Sequence, residues 1–356
     1  MAKVLMKGNE ALALAAIKGG VDAFYGYPIT PQNEVPEYLS KHLIDAGKVF
    51  LQAESEVAAI NMVYGAAGAG KRVMTSSSSP GIALKQEGIS YIAAAELPCV
   101  ISSVMRGGPG LGSIQPAQGD YYQATRGGGN GDYKLIVYAP ESIQETIDIM
   151  KDAFNVADFY RNPVLVLIDG LIGQMMESVD FDRPVKERKL PVKDWATTGT
   201  KDHPGRRNVA NSLHIDAQEL EDQNIHLQEK YALIAKNETQ HEMINMENPD
   251  YVIVAYGTMA RICRSAIKEL KAKGISVGMI RPITLLPYPK LAFNMIPETT
   301  KGILCCELSM GQMLDDVLIS NKGRHKVGFF GRSGGMLPDP SEIVDAIENF
   351  SDKVVE

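Results

Sequence analysis

The sequence predicts an α/β protein with two doubly wound, mainly parallel sheets. Short apolar stretches alternate with helix-forming stretches through residues 1–180, and the same alternation returns from Tyr251 onward. Strands that are apolar along their whole length are typical of parallel sheets, because helices cover both faces. The segment between the two halves is polar and lacks this alternation. We therefore expect a domain at 1–180, a polar insertion or linker at 181–249, and a smaller domain at 250–356.

The first domain is predicted to begin with a helix over residues 11–17, with Asn9 as its candidate N-cap. Hydrophobic periodicity then predicts the remaining elements in chain order. They are a strand at 21–25, a helix at 33–46, a strand at 48–53, a helix at 56–67, a strand at 72–75, a helix at 81–95, a strand at 98–105, a strand at 134–138, a helix at 141–158 and a strand at 163–168.

The polar insertion carries four of the six histidines, and a long polar helix is predicted within it at 216–241. These histidines are spaced too widely for a metal site, so we interpret them as solvated side chains. They are His203, His214, His226 and His241. The second domain is then predicted to contain strands at 251–256, 276–280, 302–307 and 326–330, with helices at 259–273 and 311–320.

Composition and charge exclude several classes of protein. The formal net charge is −7 and 22% of the residues are charged. The chain therefore lacks the excess of positive charge that would attract nucleic acid or an anionic membrane. The apolar run at 11–17 is too short for a membrane span or a signal peptide, which predicts a cytoplasmic protein.

The four cysteines predict a reducing compartment and no metal centre held by this chain. Cys99 and Cys263 are isolated, while Cys305 and Cys306 are adjacent in a predicted strand and are expected to be buried core thiols. Four cysteines in so long a chain do not form a disulfide framework. The sequence also lacks a C-x-x-C pair that would hold zinc or an iron–sulfur cluster.

Polar side chains follow four predicted strands of the first domain at their carboxyl ends. Thr30 follows the first strand in a turn at 27–31, where the flanking prolines restrict the backbone and present Thr30 rigidly. Glu56 follows the second strand, a serine-rich helix entry at 76–81 follows the third, and Arg106 follows the fourth. Ligands of open parallel sheets bind beyond the carboxyl ends of strands, so we predict an active site at this edge.

Glu56 and Arg106 suit different chemical tasks. Glu56 opens a helix of small apolar residues, which let another body approach and would desolvate the carboxyl, favouring its protonated form. Glu54 and Glu56 also fit a purely structural position at a helix N-terminus. Arg106 precedes two glycines that leave room for a small ligand, and arginine binds carboxylates through paired hydrogen bonds. A surface arginine beside a turn is the structural alternative.

Several motifs, in the order in which they follow one another along the chain, resemble the alpha subunit of 2-oxoacid:ferredoxin oxidoreductases, and the resemblance covers nearly the whole chain. They are Tyr27-Pro28-Ile29-Thr30-Pro31, Glu54-Ser55-Glu56 with its alanine-rich helix, residues 75–81, and Arg106-Gly107-Gly108-Pro109. The first domain resembles a thiamine diphosphate pyrimidine-binding domain, and the second resembles the transketolase C-terminal domain. Residues 106–133 are most similar to the branched-chain type, which acts on 3-methyl-2-oxobutanoate.

The resemblance implies thiamine diphosphate-dependent oxidative decarboxylation of a 2-oxoacid to an acyl-coenzyme A, with reduction of ferredoxin. It implies that Glu56 is the catalytic residue, hydrogen-bonded to the aminopyrimidine ring, and that Thr30 and Arg106 contact the oxoacid. The cofactor contacts that it implies are Glu56, Pro28, Ile29 and Ser79.

The sequence lacks the Gly-Asp-Gly stretch that begins a magnesium-diphosphate motif, so this chain is expected to supply only the pyrimidine side of the site. The resemblance implies a beta subunit that carries the diphosphate and Mg²⁺, and iron–sulfur clusters in gamma and delta subunits. Ferredoxin and coenzyme A would be further partners, and self-association is expected. The chain should be inactive alone.

Two other interpretations stay open at this stage. The chain could be a family member that acts on 2-oxoglutarate or pyruvate. A second cationic residue near the tail of the substrate would favour 2-oxoglutarate, and an apolar pocket would favour a branched-chain substrate. It could also be a non-catalytic nucleotide-binding or scaffolding subunit with two Rossmann-like domains. That function needs a GxGxxG motif after a strand, and residues 107–112 have the wrong spacing, with Pro109 inside.

Overall fold

The first part of the chain is a regular alternation of strands and helices, as predicted. The computed structural model describes residues 3–200 and 204–355. The strands here are β1 (Val4–Lys7), β2 (Ala23–Gly26), β3 (Val49–Gln52), β4 (Val73–Ser77), β5 (Val100–Met105), β6 (Ile136–Tyr138), β7 (Val164–Asp169) and β8 (Met176–Val179). The helices are α1 (Gly8–Lys18), α2 (Glu34–Asp45), α3 (Glu56–Gly68), α4 (Ser79–Ala94), α5 (Tyr121–Thr125), α6 (Ile143–Tyr160) and α7 (Gly170–Gln174).

The rest of the chain contains a long helix and then a second alternation. Its helices are α8 (Ala217–Glu238), α9 (Gly257–Ala272), α10 (Leu314–Asn321) and α11 (Pro340–Glu348), with short 3₁₀ turns at Lys290–Met295 and Phe350–Lys353. Its strands are β9 (His241–Ile244), β10 (Tyr251–Val254), β11 (Val277–Pro282), β12 (Thr284–Leu286), β13 (Gly302–Glu307) and β14 (Val327–Gly331).

The strands form two main sheets, and the predicted fold class is confirmed. The larger sheet has the order β12-β6-β7-β5-β4-β2-β3 and is parallel except for β12. The second sheet has the order β14-β13-β10-β11-β9 and is parallel except for β9. Strands β1 and β8 form a separate antiparallel pair.

Each main sheet receives its antiparallel edge strand from outside its own stretch of chain. Strand β12 comes from the C-terminal part but pairs with β6, and β9 comes from the polar insertion but pairs with β11. These two strands were not predicted from the sequence. The domain boundaries at 180 and 250 remain predictions. Neither boundary separates the two sheets cleanly, because β9 precedes 250 but belongs to the second sheet, and β12 follows 250 but belongs to the larger sheet.

Helices cover both faces of the larger sheet. Helices α1 and α6 pack together over one face, and α3 and α4 pack together over the other. The core on the α3 and α4 side continues into the second sheet, because Ile101 and Leu165 belong to the same buried cluster as Val252 and Ile303. The two halves of the chain therefore share one continuous hydrophobic core.

An ion-pair cluster reinforces this junction. The buried guanidinium of Arg281 donates to both carboxylate oxygens of Glu145, each at 2.9 Å, and to Glu242 at 2.8 Å. Arg264 donates to Glu141 and Glu242, each at 2.6 Å. Because Glu141 and Glu145 lie in the first part of the chain, these bonds connect the two sheets through charge-assisted pairs.

The predicted cap of the first helix is wrong. Helix α1 begins at Gly8, with Lys7 at the N-cap position, so Asn9 lies inside the helix. Its fully buried amide instead donates to the carbonyl of Pro31 and to the carboxylate of Glu34, each at 2.8 Å. The side chain is therefore used to hold the turn that follows β2.

The long polar helix of the insertion is confirmed as α8. Asp216 caps it by accepting from the amides of Gln218 and Glu219 at 2.9 and 3.1 Å. Its sparse apolar side chains Leu227, Tyr231 and Ile234 are buried against the core beneath α6. Of the helices in the described ranges, none is long and apolar enough to cross a membrane.

The histidines and cysteines of the described residues have ordinary structural environments. His226 and His241 are exposed and His214 is partly exposed, whereas His203 lies outside the described residues. All four cysteines are buried, as predicted for Cys305 and Cys306 in β13. Within the described ranges, no group of three or more histidine, cysteine or acidic side chains is arranged to hold a metal ion.

Candidate functional site

The predicted site residues lie at one edge of the larger sheet. Strands β3, β2, β4 and β5 are consecutive neighbours, and their carboxyl ends lead into Glu56, the turn with Thr30, the serine-rich entry of α4, and Arg106. Parallel neighbours place these ends side by side. The structure brings Thr30 and Arg106 into direct contact, since the guanidinium Nη1 donates to the Thr30 carbonyl at 3.0 Å.

Glu56 is a buried carboxylate at the first position of α3. Ser55 caps this helix by accepting a hydrogen bond from the amide of Ala58 at 3.1 Å, which fixes the start of the helix and therefore Glu56. Glu56 is only 7% exposed. No hydrogen bond from another described residue reaches its carboxylate, so its oxygens remain available to a ligand.

Gly81 makes room for this carboxylate. A Cβ atom at Gly81 would lie 2.8 Å from Glu56 Oε1 and 2.1 Å from Ser77 Oγ, both far shorter than van der Waals contact. Glu56 therefore approaches the backbone of α4 at a point where any side chain would displace it. Glycine at 81 serves close approach here, which is one of the uses specific to this residue.

Arg106 is held by backbone carbonyls and not by an acid. Its side chain donates to the Thr30 carbonyl at 3.0 Å and to the Leu111 carbonyl at 3.1 Å. The Nε of this 9% exposed residue is buried without a partner in the described part of the chain. A guanidinium carries five N–H donors, so it retains both its charge and unused donors for an anionic ligand.

Ser79 connects Arg106 to Asp120. The Ser79 hydroxyl donates to Asp120 Oδ2 at 2.5 Å and accepts from the Arg106 amide at 3.0 Å. Burial raises the pKa of Asp120 to about 6, although the Ser79 hydrogen bond and the positive charge of Arg106 act to lower it. The predicted cofactor contact of Ser79 stays a prediction, and its hydroxyl already positions the backbone of Arg106.

The turn after β2 is clamped from several sides. The fully buried Gln32 accepts from Ser76 Oγ at 2.6 Å, and the carbonyl of Pro31 accepts from Asn9 at 2.8 Å and from Gln174 at 3.0 Å. Thr30 and Ile29 are partly buried, and Pro28 is exposed. The predicted ligand contacts of Thr30, Pro28 and Ile29 stay predictions, on a turn that the surrounding bonds keep in place.

A cavity of about 480 Å³ opens beside Thr30. Apolar side chains form much of its wall, and the second half of the chain contributes to it through Leu337. No lysine or arginine is among its lining residues. They are Thr30, Pro31, Asn33, Glu34, Ile114, Gln115, Pro116, Gly170, Leu171, Gln174 and Leu337.

The sequence interpretation missed Lys85 and Asp120. Lys85 lies on α4, one turn after Gly81, and is fully buried, with Nζ donating to the carbonyl of Ser76 at 3.1 Å. Burial lowers the pKa of Lys85 to about 7, and the negative charge of Glu56 opposes this effect. The spacing of four between Gly81 and Lys85 places both on one helix face, but the sequence does not mark that face as buried.

Comparison with known proteins identifies the family. A family model described as "Pyruvate flavodoxin/ferredoxin oxidoreductase, thiamine diP-bdg" matches residues 14–251. A second, described as "Pyruvate:ferredoxin oxidoreductase core domain II", matches residues 249–343. The predicted cofactor, thiamine diphosphate, is confirmed by the first of these models. The buried and unbonded carboxylate of Glu56 fits the hydrogen-bonding needs of that cofactor's pyrimidine ring.

Individual proteins agree with these family models. The chain is 46% identical to ketoisovalerate oxidoreductase subunit VorB of Methanothermobacter thermautotrophicus over 347 residues, 98% of this chain and 97% of that one. A structure of 2-oxoglutarate:ferredoxin oxidoreductase from Magnetococcus marinus, with 2-oxoglutarate, coenzyme A and succinyl-CoA bound, superposes with a TM-score of 0.87 at 28% identity. That match covers 98% of this chain but only 65% of the other.

The fold also extends beyond this family. A split gene transketolase, solved as an inactive beta4 tetramer, matches with a TM-score of 0.62 over 98% of this chain and 99% of the other, at 14% identity. This likeness confirms the predicted transketolase-like fold and shows the fold alone. The two family models and the near full-length relative establish more than that, and they bear out the resemblance read from the motifs. The chain is a member of the 2-oxoacid:ferredoxin oxidoreductase family.

Proposed function

We propose that this chain is the alpha subunit of an enzyme that oxidatively decarboxylates a branched-chain 2-oxoacid, such as 3-methyl-2-oxobutanoate. The products are an acyl-coenzyme A, CO₂ and reduced ferredoxin. The observation that carries the proposal is the buried carboxylate of Glu56, which lacks a described protein partner and lies on the same sheet edge as Arg106 and Thr30. A nucleotide-binding scaffold would not require a buried acid at this position.

Each side chain then has a distinct task. Glu56 holds the aminopyrimidine ring and exchanges a proton with it at the carboxylate oxygen. Thiamine diphosphate, when bound, would supply a nucleophile for the keto carbon and a sink for the electrons released with CO₂. Arg106 binds the carboxylate of the oxoacid, and Thr30 orients it. Pro28, Ile29 and Ser79 form the wall against the cofactor.

The cavity beside Thr30 supports a branched-chain substrate. Its lining includes Ile114, Leu171 and Leu337 but no cationic side chain that would pair with the second carboxylate of 2-oxoglutarate. The identity of 46% to a ketoisovalerate oxidoreductase subunit supports the same substrate class. The structural match to a 2-oxoglutarate enzyme, at 28% identity, keeps 2-oxoglutarate as the second candidate.

Other chains complete the site in this proposal. Leu111 is 84% exposed, and Ile114 in the same loop and Met336, beside the Gly335 that contacts Gln115, are also exposed. Exposed apolar groups around a site are typical of a surface that another protein covers. We assign this surface to a beta subunit that carries the diphosphate and Mg²⁺, with iron–sulfur clusters in gamma and delta subunits. The complex self-associates and works in the cytoplasm with ferredoxin and coenzyme A.

A panel of oxoacids tests the substrate assignment. With the complex purified from its native source, kcat/KM for 3-methyl-2-oxobutanoate is expected to exceed that for pyruvate and for 2-oxoglutarate by roughly 10- to 100-fold, because apolar pockets discriminate by about that factor per missing methylene group. Iron and thiamine diphosphate contents measured on the same sample test the partner subunits. A preference for 2-oxoglutarate would contradict the branched-chain assignment, and a complex without the cofactor would contradict the enzyme class.

Gly81→Ala is expected to lower kcat strongly while the complex still assembles. The added Cβ would meet two side-chain ends, Glu56 Oε1 at 2.8 Å and Ser77 Oγ at 2.1 Å, and these would rotate away more easily than backbone would move. Steady-state kinetics and thermal unfolding check this. Gly65→Ala on α3 is the matched control, because a Cβ there meets nothing within 4 Å. Equal kcat for both variants would show that the placement of Glu56 beside Gly81 is unimportant.

A further inference from the structure

The feature from which we infer a further role is the buried lysine beside Glu56. Lys85 is fully buried, and its single hydrogen bond to a described residue is the one from Nζ to the carbonyl of Ser76. An ammonium has three donors, so two are unused within the described protein. The hydroxyls of Thr75, Ser77 and Ser78 nearby are also buried without partners. Polar groups that are buried and unpaired are costly, so the fold retains them for a reason other than stability.

A second buried lysine shows what structural use of this side chain looks like. Lys151 on α6 donates to the carbonyls of Phe181 and Arg183 at 2.7 and 2.6 Å, away from the site. Two short bonds satisfy that ammonium and join the helix to the following segment. Lys85 has no comparable arrangement. Its distinguishing neighbour is Glu56, whose charge acts on it across the gap between α4 and α3.

The charges around this pair are few. Glu56 on α3 lies against Gly81 of α4, and Lys85 follows Gly81 by one helical turn on the same face. The Nζ of Lys85 donates to the Ser76 carbonyl at the end of β4, where the neighbouring side chains are hydroxyls. Beyond Ser79, Arg106 and Asp120 form a second group that interacts through the Ser79 hydroxyl. Lys85 is therefore the positive charge that acts on the carboxylate of Glu56 from within the α3–α4 contact.

We propose that Lys85 is a positioning residue that stabilises the ionised carboxylate of Glu56 at the stage when Glu56 has given its proton to the cofactor ring. This inference rests on the proposed function. Glu56 donates one proton and becomes an anion, and the ammonium of Lys85 lowers the free energy of that anion through space without transferring its own proton. The same proton returns to Glu56 when the ring is deprotonated again, so the step is balanced.

The first test is the pH profile of turnover in the purified complex. Lys85→Met removes the charge, so kcat is expected to fall by about tenfold and the alkaline limb of its profile, where the proton-donating form of Glu56 is lost, to move to higher pH, with KM for the oxoacid unchanged. Lys85→Arg, which keeps the charge, should return the alkaline limb toward the wild-type position. Lys151→Met is the matched control for removal of a buried lysine and should leave the limb in place.

The second test needs no turnover. Because the pKa of folded Lys85 is about 7, below its ordinary value of 10.5, wild-type stability should rise relative to Lys85→Met as the pH rises from about 7 to 10.5. Removing the charge of Glu56 makes the buried ammonium more costly at pH 6. Lys85→Met should therefore raise the unfolding temperature more in a Glu56→Gln background than in the wild type.

The outcomes separate the two proposals. Additive unfolding shifts in the two backgrounds, or an alkaline limb that moves equally in Lys85→Met and Lys151→Met, would overturn the role of Lys85. If the complex with Lys85→Met does not assemble, both measurements are made on Lys85→Gln, which also removes the charge. Full turnover in Glu56→Gln would instead overturn the proposed function, while the unfolding comparison would still report the charge coupling.

Discussion

Glu56→Gln is expected to reduce decarboxylation by roughly 10²- to 10⁴-fold in the assembled complex, which is the usual contribution of a general acid–base residue. Glutamine keeps the shape and the hydrogen-bonding capacity of the side chain but has no proton to exchange at that position. The loss should appear in kcat, since Arg106 and the cavity, to which we assign binding of the oxoacid, are unchanged. Single-turnover CO₂ release from labelled oxoacid measures the chemical step directly.

The fold should survive this substitution. Glu56 has no protein hydrogen bond to lose among the described residues, and the N-cap bond of Ser55 to Ala58 is independent of it. Removing a charge from a helix N-terminus costs about 0.3–1 kcal/mol. Glu54→Gln is the matched control, because Glu54 is two residues earlier and exposed. Wild-type CO₂ release in Glu56→Gln, or an equal loss in Glu54→Gln, would refute the assignment of Glu56 as the catalytic acid.

Arg106→Ala is expected to raise KM for the oxoacid by about 10²-fold, because truncating one partner of a buried charged pair commonly costs 2–5 kcal/mol. Binding of thiamine diphosphate should be retained, since the guanidinium is assigned to the substrate carboxylate. Steady-state kinetics and cofactor titration by calorimetry check these two expectations.

Arg106 also has a structural part, which controls must separate. Its bonds to the carbonyls of Thr30 and Leu111 hold two loops, so alanine removes both bonds along with the charge. Arg106→Lys retains the charge without the paired donors and should give an intermediate KM. Arg126→Ala is the control for losing an arginine of the first domain, because Arg126 pairs with Asp316 at 3.0 Å and is not assigned to the substrate. An unchanged KM in Arg106→Ala would remove this residue from the substrate site.

The parts of the site that sequence reasoning found share one property. Thr30, Glu56 and Arg106 directly follow strands, and the geometry of parallel sheets carries such positions to one edge whatever the details of packing. Lys85 was missed because a lysine within a helix is normally exposed. Its burial depends on the close contact of α4 with α3, which Gly81 and Gly88 permit, and that contact is not visible in the sequence alone.

The errors in the fold have a similar origin. The cap at Asn9 was a local inference, and a tertiary bond to Pro31 took precedence. Strands β9 and β12 are only four and three residues long and pair with partners far away in sequence. Short stretches carry little periodic signal, and non-local pairing cannot be read from them. The longer strands that are buried along their whole length, such as β5 and β7, were predicted well.

The crossed edge strands have a consequence for biosynthesis. Strand β6 acquires its outer neighbour only when Thr284–Leu286 has been made, so during translation the larger sheet presents an unpaired edge while residues 139–283 emerge from the ribosome. Such an edge is a template for pairing with other nascent chains. A fragment that stops near residue 250 would keep this open edge permanently. The first domain, to which we assign the pyrimidine side of the site, is thus poorly suited to exist as a separate protein.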